Sequence, residues 1–316
     1  MKFQNSNPKH RTPLRRVAPI VAQVVDLAHS RRNSCRLRTW ATFVATKLVL
    51  GLAFCCGAIG IFGGESQKVE LQQLPPSARQ TINAHLGGGK IGEIEKETDD
   101  GEVSYTVQIS KAGHDRELTL DADGTLLTEE ISLEEAPGEV QKAVKAQVGQ
   151  GKLQSIAKNF EDSELSFDIE MTTKEGAERS FSVAPDGKLT SVQISLEETP
   201  APVRKTIQAH VGSGKLGDIY KLIEGNEISY DAEVDHNGKT RDMVVAPDGK
   251  LESMQVGLND VTPEAQKTIK ERIGNGKLLR IDKTFEGNQP YEIESMKDGK
   301  PFNFRVGPKG RFLGKD

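Results

Sequence analysis

The chain has 316 residues, 5% aromatic residues and a formal charge of −4, a composition that suits small modules with thin cores better than one large enzyme core. The charge is unevenly split: residues 1–64 carry ten Lys or Arg and a single acid, Asp26, which leaves residues 65–316 at −13. So acidic a body argues against nucleic acid, whose phosphates need a positive surface. All three cysteines, Cys35, Cys55 and Cys56, lie in the first 56 residues, which excludes disulfides and thiolate metal sites from the body.

Residues 1–40 form a basic tail, expected to be poorly ordered and cytoplasmic. Residues 41–63, ATFVATKLVLGLAFCCGAIGIFG, are a span-length apolar segment interrupted by Lys47. Arg31, Arg32, Arg36, Arg38 and Lys47 flank it on the N-terminal side, which places the acidic body outside the cytoplasm. Two readings stay open: an uncleaved single-pass anchor, which is preferred, or a signal peptide cut near Gly60 after the step Ala58-Ile59-Gly60. The latter would release the body as a secreted or periplasmic protein. A lipoprotein signal is disfavoured because Phe54 precedes Cys55 where a small residue is wanted.

Beyond residue 70 the sequence repeats. The string Gly-x-Gly-Lys recurs with its lysines at 90, 152, 215 and 277, spaced 62, 63 and 62 residues apart. Before each comes a helical pattern: ARQTINAHL (78–86), VQKAVKAQV (140–148), VRKTIQAHV (203–211) and AQKTIKERI (265–273). Its apolar positions fall on one helix face, as with Ala78, Ile82 and Leu86. Pro76, Pro137, Pro200 and Pro263 sit near the helix starts. Gly87, Gly149, Gly212 and Gly274 are expected to end the helices in the left-handed C′ position.

Four strands should follow each helix. The second alternates cleanly, as in Val103, Tyr105, Val107 and Ile109, so one sheet face is buried and the other is wet. The turns before the fourth strands are Asp123-Gly124, Asp186-Gly187, Asp248-Gly249 and Lys309-Gly310. The expected fold is α+β: four tandem αββββ modules at 70–133, 134–196, 197–258 and 259–316, each one helix on a four-stranded antiparallel meander. In the last, Pro290 falls within the second strand, which points to an edge strand there.

Several motifs invite chemistry and fail on context. In a phosphate loop the lysine precedes Ser or Thr and the loop opens a helix; here Ile91, Leu153, Leu216 or Leu278 follows, and the loop closes one. Asp121-Ala122-Asp123-Gly124 lacks the ligand spacing and distal Glu of a calcium loop. His85 and His210 share a repeat position that other copies fill with Gln147 and Arg272, which suits a helix C-terminus better than a metal. His114 and His236 belong to hairpin loops. No catalytic, cofactor or metal residues are assigned.

The pattern Leu74-Pro75-Pro76-x-Ala78, Gly89-Lys90-Ile91-x-x-Ile94-x-Lys96-x-Thr98, Tyr105-x-Val107 and Asp123-Gly124-x-Leu126 resembles the PepSY-like family, which includes the β-lactamase-inhibitor-like periplasmic proteins. The third copy adds Gly214-Lys215-Leu216, Tyr230 and Ala246-Pro247-Asp248-Gly249-Lys250-Leu251. The resemblance covers residues 70–316, and the fourth copy departs from it at Pro290 and Lys309. It implies extracytoplasmic, non-catalytic modules that bind or inhibit peptidases or related enzymes, and it offers no catalytic residue to carry over.

The expected function is therefore protein or peptide binding, with an acidic surface suited to a basic partner. The competing expectation is a structural or sensory ectodomain that spaces something from the membrane. An exposed apolar patch would favour binding, and a uniformly charged outer face the spacer.

Overall fold

The computed structural model describes residues 65–99, 102–111, 114–160, 165–236, 239–285, 287, 290–297 and 300–315. The tail at 1–40 and the apolar segment at 41–63 lie outside the described residues. Among the described residues no helix is long and apolar enough to cross a membrane.

Four α-helices lie among the described residues: α1 (Pro76–His85), α2 (Gly138–Val148), α3 (Ala201–Val211) and α4 (Pro263–Ile273). Proline starts them. Pro75, Pro137 and Pro200 hold the N-cap position of the first three, and Pro263 is the first residue of α4, where a missing N–H leaves no bond unmade. The residues four apart on each inner face are buried: Ala78 and Ile82, Val140 and Val144, Val203 and Ile207, Ala265 and Ile269. Burying each Val or Ile contributes about 1.5–3 kcal/mol. A single 3-10 turn precedes every helix. In each, the backbone N–H before the turn donates to a side chain three residues on: Glu70 to Gln73, Ser132 to Glu135, Ser195 to Glu198 and Gly257 to Asp260.

The strands are β1 (Glu65–Lys68), β2 (Lys90–Asp99), β3 (Glu102–Lys111), β4 (His114–Asp121), β5 (Leu126–Glu130), β6 (Lys152–Asn159), β7 (Ser166–Thr172), β8 (Glu178–Val183), β9 (Leu189–Ile194), β10 (Lys215–Glu224), β11 (Glu227–His236), β12 (Lys239–Val245), β13 (Leu251–Gln255), β14 (Lys277–Thr284), β15 (Tyr291–Lys297), β16 (Lys300–Pro301), β17 (Phe304–Val306) and β18 (Phe312–Lys315). Each pairs antiparallel with its predecessor from β1 to β15. β15 then pairs with β16 and β17, and β17 with β18. The result is one continuous antiparallel sheet with helices on one face.

Continuity across the sheet is the main addition to the sequence reading. The strand after each third hairpin pairs edge to edge with the strand that leaves the next helix, at β5–β6, β9–β10 and β13–β14. We call these contacts joints one, two and three. A lone meander would leave two rows of unpaired backbone groups, and the joints satisfy them. β1, which the sequence reading missed, makes the same kind of contact with β2.

Four apolar clusters fill the space between helices and sheet. Val107, Ile109, Leu118 and Leu120 meet Ala78 and Ile82 in the first, while Ile293, Phe304 and Val306 meet Ala265 and Ile269 in the last. The expectation for Pro290 needs correction: it stands just before β15, and β15 is paired on both sides. The proline removes no ladder hydrogen bond because its strand starts one residue later.

Candidate interaction surface

The predicted turn residues have two structural roles. Gly149, Gly212 and Gly274 follow their helices with φ of 53°, 55° and 60° and ψ between −112° and −122°. That is the first central position of a type II′ turn, not the left-handed helical well. The turn closes through Gly151 N–H to Val148 O at 2.8 Å, with counterparts from Gly214 and Gly276. Gly87 has φ 55° and is followed by Gly88 at φ 80°, a different turn closed by Gly89 N–H to Leu86 O. The second glycine of each string matters for space: a Cβ on Gly151 would lie 2.4 Å from Thr172 O, and one on Gly276 2.4 Å from Met296 O.

Gly124, Gly187, Gly249 and Gly310 close three-residue hairpins with φ from 72° to 90°. They are also pressed against the first helical turns: a Cβ at Gly124 would lie 2.3 Å from Ala78 N. Asp123, Asp186 and Asp248 accept the backbone N–H two residues on, at 2.9–3.1 Å. Asp121 and Asp123 share their hairpin. Burial and the neighbouring Asp123 push Asp121 above the usual carboxylate range, while the Thr125 hydroxyl holds Asp123 below it. Among the described residues no three His, Cys, Asp or Glu side chains group to hold a metal ion.

The face opposite the helices is polar, and part of it is buried. Asp168 on β7 is 5% exposed. It accepts hydrogen bonds from Ser182 Oγ at 2.6 Å and Asn159 Nδ2 at 2.7 Å, and Ser191 donates to Ser182. Burial pushes its pKa up, against the pull of those two donors. Near joint two, Tyr220 meets Ser180, and burial raises its phenol to about 12. Near joint three, Arg280 donates to Asp242 at 2.6 Å and to both oxygens of Asp282 at 2.5 and 2.8 Å. Burial opposes the charge on Arg280, but the two carboxylates outweigh it and hold the guanidinium above its ordinary pKa. Strand alternation puts Asp231, Glu233, Asp235, Glu292 and Glu294 on this face too, with Arg305 as a second cation.

The helix side differs from joint to joint. At joint one, Glu129 is 8% exposed and is ringed by Lys158 Nζ at 3.2 Å, His85 Nδ1 at 3.3 Å and Arg116 at 3.8 Å. Arg116 also donates to the α1 carbonyl of His85 at 2.7 Å. Val192 and Met254 hold the equivalent positions at joints two and three, packed among apolar neighbours. His210 instead contacts Thr206 O on its own helix, and the side chain of His114 is exposed. Shallow cavities of 240 and 220 Å³ lie at joints two and three in matching positions, lined by Arg179, Gln193 and Asp218 in one and Arg241, Gln255 and Arg280 in the other. Both fall below the ~300–1,000 Å³ of small-molecule sites.

Among the described residues the exposed large hydrophobics are Leu165, Ile228 and Phe285. Leu165 and Ile228 hold the same sequence position, 63 residues apart, and Phe285 stands just past the end of β14, on the other arm of the equivalent hairpin. All three occupy hairpins between the first two strands after a helix. Lys283 Nζ lies 5.0 Å from the Phe285 ring centre, and Glu224 and Glu227 are exposed at the tip beside Ile228.

No family model matches the chain, and no curated protein matches it. Among solved structures it is similar to a DUF2874-family protein of Bacteroides vulgatus ascribed to the periplasm, at 16% identity over 40% of this chain and 96% of that one, with a TM-score of 0.27. A protein of Bacteroides thetaiotaomicron, ascribed to the periplasm and to calcium regulation, matches at 16% identity over 40% and 95%, with a TM-score of 0.28. The C-terminal domain of Bacillus megaterium YpeB matches at 17% identity over 60% and 97%, with a TM-score of 0.17. These likenesses are local, and no function is carried over from them.

Proposed function

We propose that the chain is a non-catalytic, extracytoplasmic protein- or peptide-binding protein, built as a tandem array of four PepSY-like modules and held to the membrane through residues 41–63. The observation that carries this reading is the placement of Leu165, Ile228 and Phe285. Isolated apolar residues on a surface need no explanation; what supports a partner is that these three recur at matching hairpins. The acids at the tip beside Ile228 suit a basic partner, and inhibition of a peptidase or related enzyme is the narrower form of the proposal.

The test is crosslinking of the full chain in its native membrane, followed by identification of captured proteins. Replacing Leu165, Ile228 and Phe285 together by Ser is expected to abolish specific capture and leave the far-UV circular dichroism unchanged. Capture that survives the triple replacement sinks the reading. The intact mass of the membrane-extracted protein tests the anchor: loss of about the first 60 residues eliminates it. A second reading, a structural spacer, draws support from the joints, which hydrogen-bond one stretch of sheet to the next. It expects no specific partner in the same experiment.

A further inference from the structure

β1 lies against β2 as β5 lies against β6, β9 against β10 and β13 against β14. The registers correspond: Gln67 faces Lys96, where Glu129 faces Lys158, Val192 faces Lys221 and Met254 faces Lys283. At the three joints the residue facing the lysine is used. Glu129 pairs with Lys158, and Val192 and Met254 pack into apolar clusters. β1 does none of this. Its Ser66, Gln67 and Lys68 side chains are exposed, and Lys68, in its ion pair with Glu93, is 74% exposed. Exposed pairs of this kind contribute little. Apart from that ion pair and Val69, which follows β1 and packs on the first apolar cluster, β1 is held by backbone pairing, on an edge that elsewhere in the molecule receives a strand with buried side chains.

We infer that the outer edge of β2 is a strand-acceptor site, at which an extended acidic segment of a partner protein displaces β1 and continues the sheet. Backbone pairing supplies general affinity in such strand addition, and side chains at alternate positions supply selection. Here the selecting position faces Lys96; its counterparts face Val192 and Met254 at two joints and Glu129 at the first, and of these the carboxylate is the one that meets the lysine's charge, as Glu129 meets Lys158. A second copy of this chain fits poorly. Lys315 stands opposite Phe304 as Glu129 stands opposite Leu118, so β18 would set Lys315 against Lys96. This site is separate from the exposed hairpin residues of the proposed function, and either can fail without the other.

The test titrates the full chain, in detergent micelles, with a capped hexapeptide of the β5 sequence, Thr125–Glu130 (TLLTEE), and with its lysine counterpart TLLTKE. Binding is read from the β2 and β3 amide resonances. Loosening β1 with Glu65→Gly, Gln67→Gly and Lys68→Ser is expected to tighten TLLTEE binding at least tenfold. Lys96→Glu, in a chain whose β1 is intact, is expected to reverse the preference between the two peptides. Equal affinity of TLLTEE for the loosened and parent chains, no reversal with Lys96→Glu, or no binding to any chain each overturns the proposal. Should the loosened variant lose the Ile82 core resonances, the Lys96→Glu comparison decides alone.

Discussion

Joints one and three make the same backbone contact and fill it with opposite chemistry. At joint one, Glu129 sits among Lys158, His85 and Arg116 on the helix side. At joint three, Met254 takes that place and touches the apolar clusters under both α3 and α4. The ions of joint three lie on the other face, where Arg280 bridges Asp242 and Asp282. The backbone ladder fixes the register at both joints. The side chains decide how strongly neighbouring parts of the sheet depend on each other: Met254 is shared by two apolar cores, whereas buried Glu129 is met by cations.

The largest effect that would sharpen this contrast is expected from Arg280→Ala. It strands two carboxylates that are mostly buried, and should cost about 3–5 kcal/mol in urea unfolding. A smaller loss, near that of a surface pair, would show that water reaches the cluster. Next comes the exchange of fillings. Met254→Glu is expected to lose about 3 kcal/mol, because it takes from two apolar clusters the side chain they share, although Lys283 faces it. Glu129→Met should fall within about 1 kcal/mol of the parent and remove the salt dependence of the first part of the unfolding curve. Equal losses from both exchanges would erase the distinction between the joints.

The hairpin beside joint three offers a third comparison. Gly249→Ala meets both a positive φ and Pro202 backbone at 2.8 Å, whereas Gly212→Ala meets the positive φ with nothing within 4 Å. Losses of about 3 and about 1 kcal/mol are expected, measured by thermal unfolding. The smallest effect concerns Asp168, whose donor Asn159 stands in joint one. Its native pKa is raised, so as pH climbs past about 4 the unfolded chain ionises first and native stability falls until Asp168 itself ionises. Asp168→Asn should therefore be more stable than the parent at neutral pH, with the advantage gone below about pH 4. An advantage that grows on acidification would show the sign to be wrong.

The helices, the alternating strands and the hairpin glycines are legible in the sequence because each depends on local pattern. Val103 to Ile109 alternate because one face meets a helix, and Gly149 is glycine because its φ is positive. Two things are not legible. The joints leave little trace, since β5 and β13 are five residues long and either neighbour could pair with them. Nor does alternation reveal that Asp168 is buried, because a polar residue on the second face of a strand reads as wet whatever stands beside it. The spacing role of the second glycine in Gly-x-Gly-Lys had a signal in its recurrence, but the constraint comes from a strand about twenty residues away, Thr172 against Gly151.

Edge-to-edge pairing also bears on how such a chain can change length over evolution. Every joint hands the polypeptide from one strand to the next in the same phase, so an in-frame duplication or loss of a whole period leaves all facing pairs matched. A single inserted residue inside β5, β9 or β13 has no such latitude, because it would turn the side chains of that strand to the opposite face. Growth by whole units is the route this geometry leaves open.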